Sequence, residues 1–381
     1  MSRLKFTARN ILSGYASNIV TILLKFISRT IFLHYLSINY YGVNGLFSNV
    51  LGVLSFAELG ISTAMNFSLY KPIAENDTEK IKSLMRFYKI AFRYISLSVA
   101  VMGLALLPFL DTIVKDPGDV GDISTYYLIY LFNTATSYLF TSKFSILKAE
   151  QKNYVFSIIG TITTIITTII QIVSLILFQN FLLYLLIAAI IGLIHNVFVT
   201  IYLNKRYPYL LDKDVKKLDK QELGTIRKKV FALAWHTIGD ISINQTDYII
   251  ISSFINVATV GILTNYNMLI TSITGFISII FKSAIASLGN LIAIEDETKQ
   301  YYIFKVYRFT AFWLYGFSTV VLFILSTPFV ILWSESIRGQ MSSLSISEIT
   351  ISGITLILIL IDYYMKGSRL CIHNIVYAGG L

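Results

Sequence analysis

Ten apolar blocks, each about as long as one membrane helix, run along the 381-residue chain at roughly 11–34, 44–68, 88–110, 123–147, 154–177, 181–203, 230–253, 259–281, 306–329 and 346–366. A helix rising 1.5 Å per residue needs about 20 apolar residues to cross a hydrocarbon layer ~30 Å thick. Inside that layer each backbone N–H and C=O must find its partner within the segment, so blocks of this kind are helices. The fold class that follows is an all-α polytopic membrane protein with about ten transmembrane helices. Composition agrees, with 55% hydrophobic and 14% charged residues and a mean hydropathy of +0.68. The first block carries Lys25 and Arg29 and lacks a small-residue cleavage site, so it reads as a retained span and not a signal peptide.

Charge orients the spans. With the N-terminus inside, the inner segments hold 27 of the 31 Lys and Arg residues, and the outer segments hold only Lys115 and Arg338. Both termini are then expected in the cytoplasm. The net charge of +10 is therefore explained by loops facing an anionic inner leaflet, and nucleic acid is not an expected partner. The longest polar run, Asn204–Lys229, holds nine of the basic residues and reads as a cytoplasmic linker. Tyr40, Tyr41, Tyr70, Tyr126, Tyr127, Tyr301 and Tyr302 stand at block ends, where amphipathic rings favour the interface. One cysteine, Cys371, and four histidines leave no disulfide framework and no metal site to expect. No P-loop, GxSxG, HExxH or CxxC motif occurs, so an enzyme is not expected.

The chain also repeats. A shift of 219 residues lays spans 1–4 on spans 7–10, Gly42 on Gly261, Asp77 on Asp296, Lys80 on Lys299 and Tyr88 on Tyr307. Both copies begin inside, so the pseudo-repeat is parallel. The organisation expected is a six-helix N-terminal lobe over 1–203, a basic linker over 204–229 and a C-terminal lobe over 230–381. The second lobe has four spans where the first has six, and reads as truncated.

Two polar stripes interrupt the apolar blocks. Asn18, Lys25 and Arg29 share one helical face of span 1, at spacings of seven and four. His236, Asp240, Asn244 and Asp247 form a second stripe on span 7, at spacings of four, four and three. A charge near the bilayer centre costs roughly 2.5–3.5 kcal/mol, so such residues are expected to line a water-filled cavity. The stripes are expected to bind substrate, with Lys25 and Arg29 suited to a phosphate or diphosphate. Arg29 with Asp247 is the expected ion pair, and Asp240 or Asp247 is the alternative candidate to bind a coupling cation or proton. Glu58, Asn133, Lys282 and Asp362 are less specific, and each reads equally well as a helix–helix or interfacial contact.

The stretch Tyr40-Tyr41-Gly42-Val43-Asn44-Gly45-Leu46-Phe47, then Leu54–Asn66, then Lys71-Pro72-Ile73-Ala74 with Asp77 and Lys80, resembles the Wzx-type polysaccharide repeat-unit flippases. These belong to the superfamily of multidrug, oligosaccharidyl-lipid and polysaccharide exporters. Gln245–Ile251, followed by Val260-Gly261, resembles the second-half counterpart. The resemblance implies a V-shaped, two-lobe, MATE-like architecture in a bacterial inner membrane. It implies transfer of an undecaprenyl-diphosphate-linked oligosaccharide from the inner to the outer leaflet, for capsule, exopolysaccharide or O-antigen assembly. Implied partners are the lipid-linked oligosaccharide, membrane lipids and other assembly proteins such as a polymerase or chain-length regulator. No cofactor is implied beyond coupling to an H+ or Na+ gradient. Family members usually have twelve to fourteen spans, so ten is a departure. The alternatives are a multidrug or cation antiporter of the same superfamily, a membrane-embedded polysaccharide polymerase or ligase, and a non-transporting remnant. The short outer loops disfavour the enzyme.

Overall fold

The computed structural model describes residues 3–150, 152–212, 214–294, 296–337 and 345–378, and among them every regular element is a helix. In chain order these are α1 (Arg3–Tyr35), α2 (Ile38–Leu54), α3 (Ile61–Glu75), α4 (Thr78–Ala105), α5 (Leu110–Ile113), α6 (Ile123–Ala149) and α7 (Asn153–Phe178). There follow α8 (Phe181–Arg206), α9 (Lys220–Gln245), α10 (Asp247–Phe254), α11 (Val257–Ile294), α12 (Glu297–Ser336), α13 (Ile346–Ile349) and α14 (Gly353–Ala378). Seven helical spans among the described residues are long and apolar enough to cross a membrane, or eight if α2 and α3, bent by 49° at their junction, form one. Only 17–50% of the residues in the seven apolar windows are buried within the protein, so most of that surface needs a lipid cover. The chain is a multi-pass membrane protein. α6 and α9 fall outside the apolar set; they carry Asn133, Lys143 and Lys148, and Asp240 and Asn244, within their lengths.

Short polar residues set the helix starts. Asp77 accepts the Lys80 N–H at 2.9 Å, Asp122 those of Ser124 and Thr125 at 3.1 and 3.2 Å, and Asn180 that of Leu183 at 3.0 Å. Asp219 and Glu222 form a capping box at α9. Two of the repeat identities are thereby explained. Asp296 accepts the Lys299 N–H at 3.4 Å, as Asp77 does that of Lys80, so the shift of 219 residues maps one N-cap on another. It also carries the start of α2 (Ile38) to that of α11 (Val257), the end of α3 (Glu75) to that of α11 (Ile294), and the end of α1 (Tyr35) to that of α10 (Phe254).

The copies differ where sequence demands it. Between α2 and α3, Leu59 and Gly60 both take left-handed backbone angles, with φ of 43° and 74°. The equivalent positions are Ser278 and Ile279, and α11 runs through them unbroken. A β-branched residue resists the left-handed region, whereas glycine enters it freely.

The chain forms two compact units. The first comprises Leu24–Gly261 with Met1–Asn10. In it α6 packs on α4 and α8, α8 on α7, and α3 on α4, α6 and α9. Its fully buried side chains include Phe47, Met65, Tyr88, Phe92 and Tyr127. An outer loop ties several turns together: Ser37 and Asn39 donate to Asp119 Oδ1 at 2.7 and 3.1 Å, and the Val257 N–H donates to the Lys115 carbonyl at 3.2 Å.

The second unit comprises Ile262–Leu381 with Ile11–Leu23, and α12 against α14 is its main packing. Asn374 donates to the Tyr307 hydroxyl at 2.8 Å, which donates to the Phe281 carbonyl at 2.8 Å. The sequence reading ended the last span at 366 and left Cys371 in a short tail. Instead α14 continues to Ala378, and Cys371 and Asn374 are buried on it.

Candidate functional site

The three residues of the first stripe share a face of α1 but not an environment. Asn18 is half-buried and lies against Gly275 of α11 within the second unit. Lys25 is exposed. Arg29, one turn further, is 2% exposed. Its guanidinium lies 3.5 Å above the Tyr41 ring, and Nη2 donates to the Gly261 carbonyl at 3.3 Å. Phe32 packs edge-on against Tyr41 and Tyr184, closing an aromatic wall beside the charge. A desolvated cation on an aromatic face gains ~2 kcal/mol or more, which offsets part of the cost of burial. Arg29 thus acts as an internal pin, and Lys25 is the exposed cation of the stripe.

Arg29 reaches the point where α2 meets the start of α11 within the first unit. A Cβ on Gly42 would collide with the Val257 carbonyl oxygen, and one on Gly261 would lie 2.6 Å from the Ile38 carbonyl oxygen. The contact is reciprocal under the 219-residue shift, which relates Gly42 to Gly261 and Ile38 to Val257.

The second stripe lies beside the packing face of α9. Leu233 and Thr237 approach the helix break at Gly60, Ile241 is 7% exposed, and Gln245 reaches Gly52 of α2. These four recur every fourth residue and form the inward seam. Asp240 and Asn244 fall next to that seam, and both are exposed, with Asn244 Nδ2 donating to the Asp240 carbonyl at 2.8 Å. The side chain of His236 lies outside the described residues. Asp247 is exposed and opens α10, after a break at Thr246. An acid in the first turn suits the positive end of the helix dipole. The break means that the last spacing of three does not lie on one continuous helix.

Glu58 is half-buried in the 3-10 turn that ends α2, immediately before the break, with no ion pair among the described residues. Asn133 lies half-buried beside Gly192, at the packing of α6 on α8. Asp362 is exposed and pairs with Lys366 at 2.7 Å. The side chain of Lys282 lies outside the described residues. Sequence spacing did not single out Tyr41, which covers Arg29, or Gln245, which fixes the register of α9 on α2. Among the described residues no three His, Cys, Asp or Glu side chains gather as metal ligands. A groove of about 290 Å³ between α6 and α8 is walled by Leu128, Phe132, Leu186 and Ile190 and includes neither stripe.

No family model matches the sequence, and no curated protein matches it. Solved structures do. The chain is similar to the inward-facing conformation of a multidrug resistance MATE family transporter of the MOP superfamily, with a TM-score of 0.63 and 14% identity over 97% of this chain and 86% of that one. It is similar to the outward-facing conformation of such a transporter, with a TM-score of 0.57 and 12% identity over 97% and 83% of the two chains. A crystal structure of the Vibrio cholerae MATE transporter VcmN gives a TM-score of 0.56 and 14% identity over 99% and 85%. At such identities the likeness establishes the fold, which is that of MATE transporters.

Proposed function

We propose that this chain is an exporter that works by alternating access, exposing the polar stripes of α1 and α9 first to the cytoplasm and then to the outside. The observation that carries the reading is the MATE fold over nearly the whole chain. The reading takes ten spans, adding α6 and α9–α10 to the more apolar helices and counting α2–α3 as one, with both termini inside a bacterial inner membrane. It takes the first 203 residues as one lobe and residues from 230 onward as the other. Equivalent helix ends, equivalent N-caps and the reciprocal Gly42–Gly261 contact support a parallel repeat.

Two substrate classes compete. The similar solved structures are of multidrug transporters, and they favour a multidrug or cation antiporter. Exposed Asp240 and Asp247 suit a cationic drug or a coupling H+ or Na+, and burial of Arg29 leaves Lys25 as the exposed cation of the α1 stripe. The second reading is a flippase for lipid-linked oligosaccharide. It is supported by the resemblance of residues 40–80 and 245–251 to Wzx-type proteins and by Lys25, whose ammonium suits a diphosphate.

One experiment separates them. A deletion strain carrying this chain is assayed for drug susceptibility, and for lipid-linked oligosaccharide on each leaflet with an impermeant probe. Restored drug resistance with unchanged oligosaccharide supports the antiporter, and restored outer-leaflet oligosaccharide supports the flippase. Neither effect, with the protein present in the membrane, refutes the exporter.

A further inference from the structure

We propose that the start of α9 carries a binding collar for anionic phospholipid, in which Arg227, Lys228 and Lys229, with Lys205 and Arg206 at the end of α8, hold lipid phosphates. This rests on the reading above that α9 enters the membrane from the cytoplasmic side.

The segment between α8 and α9 first loses most of its negative charge to internal partners. Asp212 pairs with Lys82 of α4 at 2.6 Å. Glu222 pairs with Lys80 of α4 and accepts the Asp219 N–H at 3.1 Å, while Asp219 caps α9. Arg86 of α4 reaches the Val215 carbonyl at 3.4 Å and fixes the middle of the segment. Of the nine Lys and Arg residues in Asn204–Lys229, the eight that are described are exposed and have no ion-pair partner among the described residues. The α4 cations have therefore taken up acids that would otherwise neutralise the segment.

The shape of the basic group selects its partner. Three consecutive residues on a helix point 100° apart, so Arg227, Lys228 and Lys229 cover about 200° of its circumference. Buried Ile226 and half-buried Val230 occupy the remaining side. A protein groove or a nucleic acid backbone meets a stripe along a helix, with residues spaced by three or four. A collar instead meets a plane cut by the helix axis, as the headgroup layer of a bilayer is. The next residues mark depth. Phe231 and Trp235 are each 66% exposed and meet edge to face, with centroids 6.3 Å apart. They lie roughly 5–10 Å further along the axis at 1.5 Å per residue, where aromatic rings favour the interface.

The test is lipid retention by the purified full chain, read by native mass spectrometry with phosphatidylglycerol against phosphatidylcholine. The wild type should retain phosphatidylglycerol preferentially. Neutralising the collar (Arg227→Gln, Lys228→Gln, Lys229→Gln) should remove most of that preference, at roughly fivefold per cation and up to about a hundredfold for three. A charge-preserving variant (Arg227→Lys, Lys228→Arg, Lys229→Arg) should keep it. Unchanged circular dichroism confirms folding, since all three side chains are exposed. Equal retention of both lipids, or a preference that survives neutralisation, would overturn the proposal. Displacement by millimolar inorganic phosphate would overturn it too, because it would mark a site for a free anion. Retention is read without transport, so its failure leaves the exporter reading intact, and an inactive chain that keeps the lipid leaves the collar intact.

Discussion

Arg29 and Lys25 stand one helical turn apart and are expected to fail in different ways. Arg29→Ala leaves the Tyr41 ring and the Gly261 carbonyl without their cation inside the protein, and such losses cost about 3–5 kcal/mol. Its melting temperature and membrane level should both fall. Arg29→Lys should rescue only part, because an ammonium cannot lie flat on the ring as a guanidinium does. Lys25→Ala should fold like the wild type and lose transport; a Lys25→Ala chain with full export would remove Lys25 from the substrate path. The spacing of seven and four was enough to put both residues on one face. It did not distinguish them, because what buries Arg29 is Tyr41 on the next helix, a contact that no periodicity within α1 encodes. At the cytoplasmic end, Tyr207 follows α8, is 5% exposed, and donates to Glu150 Oε2 at 2.5 Å. Burial first, and then the Glu150 carboxylate, push its phenol well above the usual value near 10. The folded state thus holds the Tyr207 proton more tightly than the unfolded chain. That stabilisation is complete below pH ~10 and is lost as pH rises further toward the folded-state value. Tyr207→Phe should flatten the alkaline limb of a stability profile, and an unchanged limb would contradict this origin.

At the scale of elements, helix ends and crossings carry the account. At the α2–α11 crossing, Gly42→Ala and Gly261→Ala each place a methyl against a backbone carbonyl, and each should cost ~1–3 kcal/mol. Both sites are in one crossing, so the double variant should cost less than the sum, which thermal unfolding of the three variants will show. At the α2–α3 break, Gly60→Ala should cost about 1–2 kcal/mol from its left-handed backbone alone, with Leu233 Cβ 2.7 Å from the added methyl. Leu59→Gly, at the neighbouring left-handed position, should be neutral or stabilising, and a loss of stability there would argue that the Leu59 side chain holds the bend. The ten helical stretches were legible because a hydrocarbon solvent enforces block length, and the repeat was legible because Asp77 and Asp296 are N-caps with the same geometry. The break was not, since Phe56-Ala57-Glu58-Leu59-Gly60 is as apolar as its surroundings and only the backbone angles reveal it. The break at Thr246 was hidden for the same reason.

For the whole molecule, the fold and the membrane setting were readable from sequence, while the choice of substrate was not. A MATE fold at 12–14% identity constrains architecture and leaves cargo to the exposed groups of the site, which are Lys25 on α1, Asp240 and Asn244 on α9, and Asp247 on α10. The stripe positions follow from helical periodicity; their exposure depends on which neighbouring face, Leu233–Thr237–Ile241–Gln245, docks on α2 and α3. The central claim is that this polar surface faces each side of the membrane in turn. Cys371 is the only cysteine, so Cys371→Ser provides a background for a single reporter at Lys25→Cys. The measurement is its labelling by a membrane-impermeant maleimide in right-side-out and inverted vesicles. Alternating access predicts labelling from both sides, with an added substrate or ion gradient raising one at the expense of the other. Labelling from one side alone under every condition, or from neither, would contradict it.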